Sequence, residues 1–71
     1  MIMYLFKIEK KNEFLGGIKI NWLAKEIAVS YNYLAQVFNA KRTCSGVLAS
    51  LLMVKLKPNE DIEEYFIKKE K

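Results

Sequence analysis

The stretch that decides the fold runs from Leu23 to Arg42, LAKEIAVSYNYLAQVFNAKR. With Ile20 just before it, Leu23, Ala24 and Ile27 fall at the i, i+3, i+4, i+7 spacing of a helix that buries one stripe. Lys25 and Glu26 then point away from that stripe. Val29 suits a buried turn, and Ser30 suits an N-cap, because its hydroxyl can accept from an exposed backbone N–H of the next helix. In that helix Leu34, Val37 and Phe38 form the inner stripe, and Ala35 leaves room for a close helix approach. Tyr31, Asn32 and Gln36 are left outside, with Tyr33 half covered. The spacing therefore predicts two short helices, about Ile20–Ala28 and Tyr31–Asn39, joined by a tight turn.

Outward from this pair the chain reads as support. Leu5, Ile8 and Leu15 lie near one face of an amphipathic helix over residues 1–15, although the apolar start Met1–Phe6 also suits an extended segment. Gly16-Gly17 ends that helix, since glycine takes the left-handed conformation of a helix end without a Cβ clash. A fourth helix fits about Ser45–Lys57, capped by Ser45 or Thr43. Leu48, Leu52 and Leu56 form one of its stripes, and Val47, Leu51 and Val54 a second beside it. The second stripe is either core beneath the first and last helices or a homodimer surface. Pro58 stops the helix. Asn59 then caps a short last helix, with Ile62, Tyr65 and Phe66 facing inward and Lys68, Lys69 and Lys71 at its end. These elements predict an all-α, compact five-helix domain spanning residues 1–71, with the helix-turn-helix at about 20–39.

Composition narrows the function. The 71 residues are 52% hydrophobic and 28% charged, ordinary values for one small globular domain. There is no histidine and one cysteine, Cys44. The chain thus lacks an internal disulfide and the usual zinc ligand set. No nucleophile–base constellation stands out, so neither an enzyme, a metal nor a cofactor is expected. Cys44 reads as a small filler of the interior. No signal peptide or membrane-spanning run is seen, and a soluble, cytoplasmic protein is expected. Charge is uneven: residues 1–57 hold nine Lys/Arg against three Asp/Glu, and residues 58–71 hold three against five. A basic body suits an anionic partner; a solvated surface accounts for it equally well.

At this point the chain resembles a known family. The run YLAQVFNAKRTCS, preceded by LAKEIAVS, is similar to the Cro/lambda-repressor type of helix-turn-helix regulators of phages and bacteria. The resemblance covers Gly17 to Phe66 and rests on Ala24, Val29-Ser30, Leu34, Val37, Asn39 and Arg42 at their spacing. It implies a regulator of a lysis–lysogeny-type switch in a bacterial host cell, binding operator DNA through the helix after Ser30. Tyr31, Asn32 and Gln36 match base-reading positions. Ser30, Asn39, Lys41, Arg42 and Thr43 match positions that hold phosphate. The chemistry agrees, since Asn and Gln pair bidentately with adenine and Lys and Arg neutralise phosphate.

The chain departs from the family at three positions, of which the first removes a phosphate anchor and the other two are tolerable structurally. Ile20 stands where relatives carry a phosphate-holding glutamine, Ala40 replaces a usual glycine, and Cys44 a frequent proline. Trp22 lies outside the buried stripe, so it either packs against the first helix or forms an exposed binding hot spot beside Lys19 and Lys25. Tyr33 fits packing on the second helix, and Tyr31 fits DNA or a protein. Trp22, Lys25, Tyr31 and Tyr33 are therefore candidates for contact with a partner protein. The alternative function is an antirepressor, a modulator of repression that binds a cognate repressor and alters its DNA binding.

Overall fold

The computed structural model describes residues 2–70, and Met1 and Lys71, assigned above to the first and last helices, lie outside them. The order of elements is β1 (Ile2–Phe6), α1 (Lys11–Leu15), α2 (Ile20–Glu26), α3 (Tyr31–Phe38), β2 (Cys44–Ser45), α4 (Gly46–Leu56) and β3 (Phe66–Glu70). Single 3-10 turns at Ile8–Lys10 and Ile62–Glu64 precede α1 and β3. The strands form one antiparallel sheet in the order β2-β1-β3.

This overturns the all-α five-helix architecture. The first helix shrinks to Lys11–Leu15, and the last is replaced by a 3-10 turn and a strand. The cause is pairing between the two chain ends. β1 and β3 run antiparallel in register from Ile2 opposite Glu70 to Phe6 opposite Phe66. Residues alternate between faces of a strand, so Phe6 and Phe66 share the inner face while Leu5 and Ile67 share the outer one. Ile, Tyr and Phe suit that half-buried pleated surface. Ile8, assigned to the buried helical stripe, is exposed.

An aromatic cluster ties the sheet to the helices. The Phe6 ring lies 5.4 Å from Phe14 of α1, 5.0 Å from Phe38 of α3 and 5.3 Å from Phe66, all edge-on. Edge-on packing sets positive ring edges against negative faces. Phe38 thereby docks the end of α3 onto β1. Leu23, Ala24, Leu34, Val37, Leu48 and Leu52 complete the core as expected, and Cys44 joins them with no exposed surface. Tyr65 buries its ring while its hydroxyl reaches Glu60 Oε1 at 3.0 Å and Glu13 Oε2 at 3.3 Å. With one proton, that hydroxyl donates to one carboxylate at a time.

The stripe Val47, Leu51, Val54 is not core. Val47 is 81% exposed, Val54 68% and Leu51 40%. The long first helix and the last helix expected to cover it are, among the described residues, replaced by β1 with the short α1 and by β3.

Candidate nucleic-acid interface

The predicted pair of helices with a tight turn is present, as α2 and α3 joined through residues 27–30. Ser30 Oγ accepts from Tyr33 N at 3.1 Å and so caps α3. Ser45 does the same for α4, accepting from Leu48 N at 3.2 Å. The turn is set by the way α2 ends. Ala28 adopts a left-handed φ of 58°, and Val29 N donates back to Ala24 O at 3.0 Å. α3 ends in the same way, with a second bond: Ala40 has φ 58°, Lys41 N donates to Gln36 O at 2.9 Å and Ala40 N to Val37 O at 3.1 Å. The α3 end is a full Schellman cap and the α2 end has its long 6→1 bond; glycine is the usual left-handed residue in such ends. Alanine carries a Cβ there, so each cap holds strain of roughly 1–2 kcal/mol.

The exposed face of α3 follows from helical geometry. At about 100° per residue, Leu34, Val37 and Phe38 cover one arc, and Asn32 and Gln36 lie directly opposite. Asn32 and Gln36 are both exposed and stand one turn apart in one row. Tyr31, 49% exposed, flanks that row on one side, and half-buried Tyr33 on the other.

Cations lie beside α3 and past its C-terminal end. The Arg42 guanidinium carbon sits 4.6 Å above the centre of the Tyr33 ring, a cation–π contact that holds the charge beside α3. Lys41 is exposed and Thr43 half-buried. Asn39 is engaged: its Oδ1 accepts from Lys11 Nζ at 3.0 Å, leaving Nδ2 as a donor. Lys11 is thus a member of the site that sequence reasoning missed. Twenty-eight residues separate the two partners, and no local pattern marks such a contact. Ser30 spends one lone pair on its cap and keeps its O–H for donation.

On α2, Ile20 packs half-buried against the core. Trp22 is 52% exposed and is therefore not covered by the first helix. Lys25, one turn further on the same side, is also exposed. The one acid of the pair, Glu26, is 3.5 Å from Lys55 of α4, which offsets its charge. The Cys44 thiol, pushed up to about 11 by burial, is unreactive at neutral pH. Among the described residues no group of three or more His, Cys, Asp or Glu is placed to hold a metal ion.

Comparison with protein-family models, with curated proteins and with solved structures finds no match.

Proposed function

We propose that the chain is a transcriptional regulator that binds double-stranded operator DNA with α3 in the major groove, serving a lysis–lysogeny-type switch of a phage or mobile element. The observation that carries the proposal is the outward row Asn32–Gln36, capped by Ser30 and ended by Lys11, Lys41 and Arg42. Amide side chains on a helix suit base edges, and cations at the rim suit phosphate. The switch and its setting rest on the resemblance of LAKEIAVS and YLAQVFNAKRTCS to phage regulators. No catalytic step is part of this role, and its place is the cytoplasm of a bacterial host. No helix among the described residues is long and apolar enough to cross a membrane.

In this role Asn32 and Gln36 read bases, with Tyr31 beside them against a thymine methyl or phosphate. Ser30, Asn39, Lys41, Arg42 and Thr43 position the backbone. Three cations predict Z of about 3 neutralised phosphates per chain, so log K falls with log salt at a slope of roughly −2.7. The test is a titration of DNA flanking the gene at low and moderate salt, with and without the neighbouring repressor. Absence of salt-sensitive binding in both arms defeats the proposal.

A second reading is favoured by exposed Trp22 and Tyr31 and by inward-packed Ile20. In it the same surface engages a cognate repressor protein and alters that repressor's DNA binding, with Trp22, Lys25, Tyr31 and Tyr33 as contacts. Aromatic anchors of this kind dominate protein interfaces. Co-purification with the repressor, weakened by Trp22→Ala and Tyr31→Ala, supports it; undiminished complex formation by those variants removes its mechanism.

A further inference from the structure

Among the described residues β3 is an edge of the sheet, with β1 as its strand neighbour on one side. A single bond shows which of its backbone groups are spare. Lys7 N donates to Tyr65 O at 2.8 Å, and the β1–β3 register sets those two residues opposite each other. Antiparallel pairs alternate between bonded and non-bonded. Leu5–Ile67 and Met3–Lys69 are therefore bonded, while Tyr4–Lys68 and Ile2–Glu70 are not. The N–H and C=O groups of Lys68 and Glu70 thus point away from β1, along the open edge. Ile67, Lys68, Lys69 and Glu70 are all exposed, so this edge lies in solvent.

Its side chains are cationic on both faces of the sheet. Ile67 and Lys69 lie on the outer face and Lys68 on the inner one. Neither lysine makes an ion pair among the described residues. Two lysines against Glu70 leave the strand net cationic. We infer that the open edge of β3 takes an added strand from another protein, an extended acidic segment paired antiparallel to it. Such a strand draws affinity from the edge's backbone groups and specificity from its alternating side chains. Opposite Lys69, Lys68 and Ile67 the occupant reads, from its own N-terminus, acidic, acidic, apolar. Each carboxylate then faces one lysine, on opposite faces, and the apolar residue extends Ile67. A second copy of the chain is a poorer occupant. The one antiparallel register that overlaps the whole of β3 with itself sets Lys68 against Lys68, and edge lysines discourage like-charged strands.

The test titrates the isotope-labelled chain, without DNA, with a capped peptide carrying Glu-Glu-Val between threonines. Amide signals of β3 are expected to move. The Lys68 and Glu70 amides, fast in hydrogen exchange in the free chain, are expected to slow. A peptide N-methylated at its second glutamate, the residue that bonds Lys68, is expected to leave them unmoved, as is one carrying Lys-Lys-Val. Reversing both charges, Lys68→Glu with Lys69→Glu, is expected to weaken the acidic peptide on the order of tenfold. The reversed chain should also admit the Lys-Lys-Val peptide, a gain that no folding defect produces. Failure of the acidic peptide to move β3 at millimolar concentration overturns the inference, and so does equal binding of the N-methylated peptide. Lys68 and Glu70 amides that slow with rising chain concentration, without peptide, give the edge to a second copy and overturn it too. Duplex DNA moving these signals where the acidic peptide does not assigns the lysines to phosphate instead. None of these results involves the Asn32–Gln36 row, so failure here and failure of the DNA-binding proposal are told apart.

Discussion

Replacing Ala40 by glycine should stabilise the protein, against the usual sign for such a change. In an ordinary helix the substitution costs about 0.5–1 kcal/mol, because glycine has more freedom to lose. Ala40 holds φ 58°, where its Cβ crowds the carbonyl oxygen and costs roughly 1–2 kcal/mol. Glycine removes that strain and returns about 0.4–1 kcal/mol as unfolded-state entropy. The net gain is about 0.5–1 kcal/mol, which in a domain of this size raises Tm by roughly 2–8 °C. Ala28 has the same φ where α2 ends, so Ala28→Gly should add a similar increment and the two should sum. Ala49, buried inside α4, is the control, and its glycine variant should lose about 1 kcal/mol or more. Thermal and urea unfolding followed by far-UV circular dichroism measures all three. If Ala40→Gly destabilises as Ala49→Gly does, the left-handed cap that ends α3 and positions Lys41 and Arg42 is wrong.

Other outcomes follow from the same geometry. Ser30→Ala should cost about 1 kcal/mol in urea unfolding by removing the α3 cap, and no change would mean that Ser30 Oγ does not bond Tyr33 N. Arg42→Ala should weaken DNA binding, and Tyr33→Leu should take part of the same loss by releasing the guanidinium; strictly additive effects in a double-mutant cycle would refute the stacked arrangement. Tyr65 is pushed up to about 12, first by burial and then by Glu60 and Glu13. Its folded value lies above its unfolded one, so its stabilisation is complete below about pH 10 and fades between about 10 and 12. Tyr65→Phe should remove that alkaline component of the stability–pH curve, and an unchanged curve would contradict the placement of the hydroxyl.

The helix pair was legible because its information is local. Leu23, Ala24, Leu34, Val37 and Phe38 repeat at helical spacing, and Ser30 marks the boundary by its own chemistry. The ends of the chain were not legible, because their partners are far away in sequence. Ile62, Tyr65 and Phe66 meet helical spacing equally well as a 3-10 turn leading into a strand. Only pairing with Ile2–Phe6, about sixty residues earlier, decides between them. The alternation of β1 was visible in Tyr4 and Phe6, but Leu5, Ile8 and Leu15 mimicked a helical stripe. The same distance hid Lys11 from the candidate site. Ala40, which stands where the family that the sequence resembles usually has glycine, was the one local mark of the left-handed cap that ends α3.

The central claim is that the Asn32–Gln36 row reads base edges, and both side chains are exposed enough to be removed without disturbing the core. The most direct measurement is an anisotropy titration of duplex DNA flanking the gene, at several salt concentrations, with the native chain and Asn32→Ala/Gln36→Ala. Each bidentate amide–base pair is worth about 1–3 kcal/mol, or roughly 5- to 150-fold in affinity. The variant should lose at least that factor for the preferred sequence and keep the native salt slope, since its phosphate contacts remain. Equal affinity of native and variant for every sequence, or no binding by the native chain with or without the repressor, would contradict the account.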